Sequence, residues 1–102
     1  MAIISAVFAL NPNGNLNGSI NTVTSSAAIS LGSGSLWAFS CTQDAHIRFG
    51  VDNTVGAADT TYFRVPANTM FQLLMPREAN YIRIYNPSGS TATYTICPMT
   101  RN

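Results

Sequence analysis

The second half of the chain alternates. From Leu36 to Cys97 apolar side chains fall at every other position in short runs. Each run is cut by a cluster of Gly, Pro, Asn, Asp or Ser. A period of two sends successive side chains to opposite faces of an extended backbone, so these runs read as strands with one buried face. In Leu36 to Cys41, Trp37, Phe39 and Cys41 share a face. In Ala45 to Val51, Ile47, Phe49 and Val51 share one, while His46 and Arg48 take the other. Thr60 to Val65 turns Phe63 and Val65 inward and Tyr62 and Arg64 outward. Thr69 to Met75 groups Phe71, Leu73 and Met75. Tyr81 to Tyr85 buries Ile82 and Ile84 and exposes Tyr81, Arg83 and Tyr85. Thr91 to Cys97 closes the set with Tyr94 and Ile96 inward.

The first third is less regular. Ala2 to Leu10 reads as a strand, followed by the turn-rich Asn11-Pro12-Asn13-Gly14-Asn15. Ser19 to Thr24 and Ala27 to Leu31 are weaker strand candidates, and Gly32-Ser33-Gly34-Ser35 is a turn. No stretch carries a helical period. Roughly seven to nine short strands punctuated by turns predict an all-β fold, a single-domain β-sandwich or jelly-roll-like barrel of short antiparallel strands. The whole chain, 1–102, reads as one domain, with the N-terminal strand and long loops in 1–35 and the core strands in 36–97.

Composition narrows the function. Charged residues are 9 % of the chain, all five basic ones are arginine, and the net charge is +1. Nucleic acid is bound by clustered positive charge, so it is not an expected partner. No segment has the roughly 18 apolar residues that a membrane-spanning helix requires, so no membrane partner is expected. Ala2 to Leu10 is apolar but has no basic stretch before it, the first arginine being Arg48. It reads as a strand rather than a secretion signal, and synthesis in a cytoplasm is expected. Cys41 and Cys97 read as small core residues, with a disulfide between them the lesser alternative.

The residues do not converge on a catalytic or ligand-holding pattern. A hydrolytic triad would have to use the single histidine, His46, and no Gly-x-Ser-x-Gly elbow accompanies it. Asp44 and His46 read as a polar pair at a strand edge. Two distant cysteines and one histidine do not make a zinc site. Gly32-x-Gly34 lacks the Lys-Ser/Thr of a phosphate loop. The chain is therefore expected not to be an enzyme and to carry no cofactor, metal or catalytic residues.

What stands out is the outward face of the predicted strands. Arg48, Tyr62, Arg64, Tyr81, Arg83 and Tyr85 would share it with His46. Arginine and tyrosine are favoured at protein interfaces, and their stacking adds cation–π attraction. The same residues also suit ordinary cross-strand pairs, or a face buried under the N-terminal loops. Ile3 and Ile4, in the apolar first strand, are the other interface candidates. That strand either completes the core or pairs with a neighbouring subunit.

The order of segments adds a resemblance. Asp44-Ala45-His46-Ile47-Arg48-Phe49-Gly50 resembles a strand of small β-sandwich virion proteins of tailed bacteriophages. A variable loop follows, then Tyr62-Phe63-Arg64-Val65-Pro66-Ala67-Asn68, Met70-Phe71-Gln72-Leu73, Tyr81-Ile82-Arg83-Ile84-Tyr85 and a Thr-rich closing strand. The match spans Trp37 to Cys97, departs at Ala67-Asn68, where the group often has Ala-Gly, and leaves the N-terminal extension without a counterpart. The resemblance implies a structural virion protein on the head surface, a decoration or cement protein. It would bind the major capsid protein as a homo-oligomer, dimer or trimer, and stabilise the assembled capsid. The alternatives are a carbohydrate- or receptor-binding β module of a tail or fibre, and a tail or neck adaptor.

Overall fold

The computed structural model describes residues 8–10 and 15–101, with side chains for 15–99. Ten strands form in it: β1 (Phe8–Leu10), β2 (Leu16–Ile20), β3 (Thr24–Ser25), β4 (Ile29–Ser30), β5 (Leu36–Cys41), β6 (Ala45–Gly50), β7 (Phe63–Val65), β8 (Phe71–Leu74), β9 (Tyr81–Asn86) and β10 (Ala92–Arg101). Of the predicted strand Ala2 to Leu10, only the last three residues lie within the described part. The two weak N-terminal candidates are replaced by three short pieces with different bounds.

Two antiparallel sheets of like plan face each other. The first runs β1-β10-β5-β8, with β2 also on β10, and the second runs β3-β9-β6-β7, with β4 also on β9. The pairing is that of a chain folded in half and rolled up. Moving outward from the connection at residues 51–62, β6 pairs β7, β5 pairs β8, β4 and β3 pair β9, and β2 and β1 pair β10. Rolling this ribbon adds two further pairings, β5 with β10 and β6 with β9, and these close the two sheets. The result is a jelly roll.

The core lies between the sheets and uses the predicted alternation. The first sheet contributes Ile20, Phe39, Cys41, Leu73, Ala92 and Ile96, and the second Ala45, Ile47, Val65, Ile82 and Ile84. Full burial of each large aliphatic or aromatic side chain among them is worth roughly 1.5–3 kcal/mol. Asn86 continues the inward row of Ile82 and Ile84 and is also fully buried. Its amide donates to the carbonyls of Ile20, Asn21 and Ser90, and its Oδ1 accepts from the amide and hydroxyl of Ser88. A polar side chain is tolerated there because both ends of its amide are satisfied.

The edge of β9 is broken at one place. Between β3 and β4, the Ser26 amide donates to the Ile84 carbonyl at 2.7 Å, but the Ile84 amide donates to Ser26 Oγ instead of a carbonyl. The hydroxyl replaces the backbone acceptor and leaves the Ser26 carbonyl free to turn outward, where Arg83 takes it. Such interruptions limit the length of an exposed edge.

The cysteines lie on opposite faces of the first sheet. Cys41 pairs with Tyr94 on the inward face, whereas Cys97 pairs with Ala38 on the outward one. Both are free. Burial pushes the Cys41 thiol above its ordinary pKa.

Candidate protein-binding surfaces

The second sheet brings the predicted Arg-Tyr set together. In register, His46 faces Arg64 on one side and Tyr85 on the other, Arg48 faces Arg83, and Gly50 faces Tyr81. Tyr62 stands just before β7, with the Arg48 guanidinium 5.0 Å from its ring centroid. All six named residues therefore border one outward face. Ile3 and Ile4 lie outside the described residues.

Much of that face is covered from within. Residues 51–62 leave β6, cross the outside of their own sheet and return as β7. Arg83 donates from Nε to the Ser26 carbonyl at 2.7 Å and from Nη1 to the Val55 carbonyl at 3.2 Å. Arg48 donates from Nη1 to the Ala57 carbonyl. The Ala58 amide donates to Ser25 Oγ, and His46 Nδ1 lies 2.9 Å from the Tyr62 carbonyl, which makes Nδ1 the protonated nitrogen. Tyr81, Arg83 and Tyr85 end half-buried. Cover comes from this strap and, at Ser25 and Ser26, from the N-terminal third.

The strap sits close because of two glycines. A Cβ on Gly50 would lie 2.3 Å from Val55 Cβ, and one on Gly56 would lie 2.7 Å from Arg48 Nη1. Its turns are capped by carboxylates. Asp52 Oδ1 accepts from the Thr54 amide and hydroxyl, and Asp59 Oδ1 from those of Thr61. These bonds hold both carboxyls below the ordinary aspartate range.

Arg64 is the open cation of the face. Its Nε and Nη2 both donate to Asp44 Oδ2, at 3.1 and 2.8 Å, while Asp44 Oδ1 accepts from the Ala67 amide. The hydrogen bond from Arg64, then that from Ala67, lowers the Asp44 pKa. Asp44 and His46 thus make their hydrogen bonds to different partners. The ion pair is half exposed, so it contributes little to stability.

The barest apolar surface lies elsewhere, where the edge strands β7 and β8 flank the mouth of the sandwich. A groove of about 330 Å³ is lined by Phe49, Phe63, Phe71, Gln72, Leu73, Leu74 and Pro76. Phe63 pairs with the buried Ile47 and points inward as predicted, yet it is 55 % exposed. At the end of β7 no opposing strand among the described residues covers it. Its ring meets that of Phe71 at 5.3 Å between centroids. Leu74 is 63 % and Met70 62 % exposed. Val51, also predicted inward, lies beyond the end of β6 and is exposed.

Reading faces strand by strand missed this mouth, since Phe49, Phe63 and Phe71 were assigned to the core. A signal was present in Met70-Phe71-Gln72-Leu73-Leu74. Apolar residues on both parities of a short strand leave one set outside, and here that set includes Leu74.

No protein-family profile and no curated protein matches the chain. Among solved structures it is similar to a de novo designed double-stranded β-helix determined in solution by NMR. The TM-score is 0.59 and the identity 12 %, over 82 % of this chain and 96 % of that one. At that identity the likeness concerns the fold alone, and it agrees with the two-sheet roll traced above.

Proposed function

We propose that this chain is a structural protein that works by binding other protein surfaces, and that its setting is a virion. It would bind the major capsid protein of an assembled head and stabilise it, as a decoration or cement protein. The observation that carries the protein-binding reading is the apolar mouth. Six of its seven lining residues are apolar, and Phe63 and Leu74 are more than half exposed. Exposed apolar clusters of this kind mark protein contacts. The capsid setting rests on the resemblance of Trp37 to Cys97 to phage virion proteins, with the low charge and all-β architecture in keeping.

A ligand that binds the assembled lattice and not the free subunit adds its binding free energy to the lattice, once per site. Carbohydrate binding is the weaker reading. Sugars need polar partners beside an aromatic platform, and Gln72 is the single polar side chain lining the mouth. The test is co-sedimentation of the purified chain with expanded capsids and, separately, with unassembled capsid subunits. Saturable binding to capsids alone is expected. Equal binding to free subunits, or none to either, sinks the capsid reading.

A further inference from the structure

The mouth has a candidate occupant within the same sequence, and its identity follows from where β1 starts. β1 pairs with the far end of β10, Phe8 opposite Arg101 and Leu10 opposite Met99. The last pair of β10 with β5 is Pro98 with Trp37. Beyond that pair, β1 and the end of β10 form a two-stranded ribbon that projects past the body of the first sheet. Two strands alone are marginal in water, and such a ribbon gains from a further partner. The residues preceding Phe8 are Ala2-Ile3-Ile4-Ser5-Ala6-Val7, uncharged and rich in β-branched side chains. That composition favours a strand that lies on an apolar surface.

We infer that Ala2–Val7 of one copy lies as an added strand along the open edge of β8 in a second copy, with Ile3, Ile4 or Val7 filling the groove between Phe63, Phe71 and Leu74. The inference rests on the reading of the mouth as a protein-binding surface. It does not rest on the capsid.

Reach decides between a second copy and the chain's own mouth. β1 and β8 are opposite edges of one sheet, with β10 and β5 between them. Three strand spacings come to ~14 Å. Leu74 pairs with Leu36, which stands about level with Met99, two residues short of Phe8's partner Arg101. That adds ~7 Å along the strand direction. The return path is thus ~16 Å, and it begins with a reversal of direction. Six extended residues reach ~20 Å. Within one molecule the crossing would use up the segment and leave one residue or so to pair. In a neighbouring copy no such crossing is needed, and the whole segment is free to pair. Neither surface carries charge that would oppose the contact, as the groove residues and Ala2–Val7 are all neutral. Strand addition of this type takes affinity from backbone hydrogen bonds and register from side chains in pockets.

The experiment is sedimentation velocity of the full chain at sub-millimolar concentration, with a mixing test for contact. Self-association is expected, weakened about tenfold or more by Leu74→Lys and likewise by Ile4→Asp, each of which removes one buried aliphatic side chain from the contact. Leu74 is exposed in the single chain, so its variant keeps the fold, and an unchanged far-ultraviolet spectrum checks this. Chains carrying Ile4→Cys, mixed with chains carrying Leu74→Cys under mild oxidation, should give a disulfide-linked dimer that neither gives alone. A chain that stays monomeric overturns the inference. So does self-association indifferent to both charged variants, or an internal crosslink in a chain carrying both cysteines. Particle binding that persists in a monomeric Leu74→Lys variant separates failure here from failure of the capsid reading.

Discussion

The Arg-Tyr face and the apolar mouth are each built from residue types that favour interfaces, yet the molecule uses them differently. On the face, Arg48 and Arg83 donate to carbonyls of residues 51–62 and of Ser26, and the strap lies across them. In the mouth, Phe63 and Leu74 meet solvent for more than half their surface. The difference comes from topology. The face lies beneath the point where the ribbon turns back, so the connecting chain crosses it. The mouth lies between β7 and β8, where each sheet ends. Interface-prone composition marks a surface that wants a partner, while the path of the chain determines whether that partner is already present.

The sharpest way to break this contrast is Arg83→Ala. If the guanidinium is a structural clamp, its loss leaves the half-buried Val55 carbonyl without a donor and the Ser26 carbonyl with only the Ser25 hydroxyl at 3.4 Å. A loss of about 1–3 kcal/mol is expected, the cost of one orphaned group. Urea unfolding measures it. A variant as stable as the parent but defective in partner binding would return Arg83 to the role of an interface residue. Of like size is Gly50→Ala, whose methyl group meets Val55 and pushes the strap outward. About 1–3 kcal/mol is expected for such overpacking. Hydrogen exchange should quicken at the Ala58 amide before it quickens in β9.

Leu74→Lys probes the other region. Stability should stay within about 0.5 kcal/mol, because the site is exposed. Self-association should fall. A large loss of stability would mean that the mouth belongs to the core after all. The smallest effect is acid sensitivity of the strap. Asp52 and Asp59 have folded pKa values below their ordinary ones. Their contribution is therefore whole above the unfolded value, about 3.9, and is lost as pH falls through the depressed folded values. The urea midpoint should hold from neutral pH to about 4 and then decline. In Asp52→Asn with Asp59→Asn the decline should be shallower, and an equal decline would remove these two carboxylates from the account.

Much of this fold was legible in the sequence, because β8 and β9 bury alternate residues and say so, while β5, β6 and β10 keep the inward set buried but also bury Ala38, His46 and Cys97 on the other face. Ile82 and Ile84 are buried and Tyr81, Arg83 and Tyr85 face out, as the period of two requires. The pieces on the other side of β9 were not legible. β3 and β4 are two residues each, and what joins them to the sheet across the break is the Ser26 hydroxyl standing in for a carbonyl, which no propensity encodes. The site was half legible. Parity placed Arg48, Arg64, Arg83 and the tyrosines on one face, but parity says nothing about a strap crossing from the outside. It also assigned Phe63 to the interior, correctly as to direction. Period two gives the face on which a side chain points and not whether another strand lies opposite. At the end of a sheet the two come apart.

The rolled ribbon also governs when, during synthesis, this chain can become a protein. One inner strand of each sheet comes after all the strands it must join, β9 between β3/β4 and β6, and β10 between β1/β2 and β5. A nascent chain ending before β9 lacks the strand that joins β3 and β4 to β6 and the one that joins β1 and β2 to β5, and among the described strands holds only the pairs β6·β7 and β5·β8. Neither layer can close until β9 and β10 have emerged, and folding of this unit is then one event rather than a growing one. Protease resistance measured on ribosome-bound chains of increasing length should stay low until β10 has left the exit tunnel, and then rise in one step. A stepwise rise would show that an early half of the roll can stand by itself.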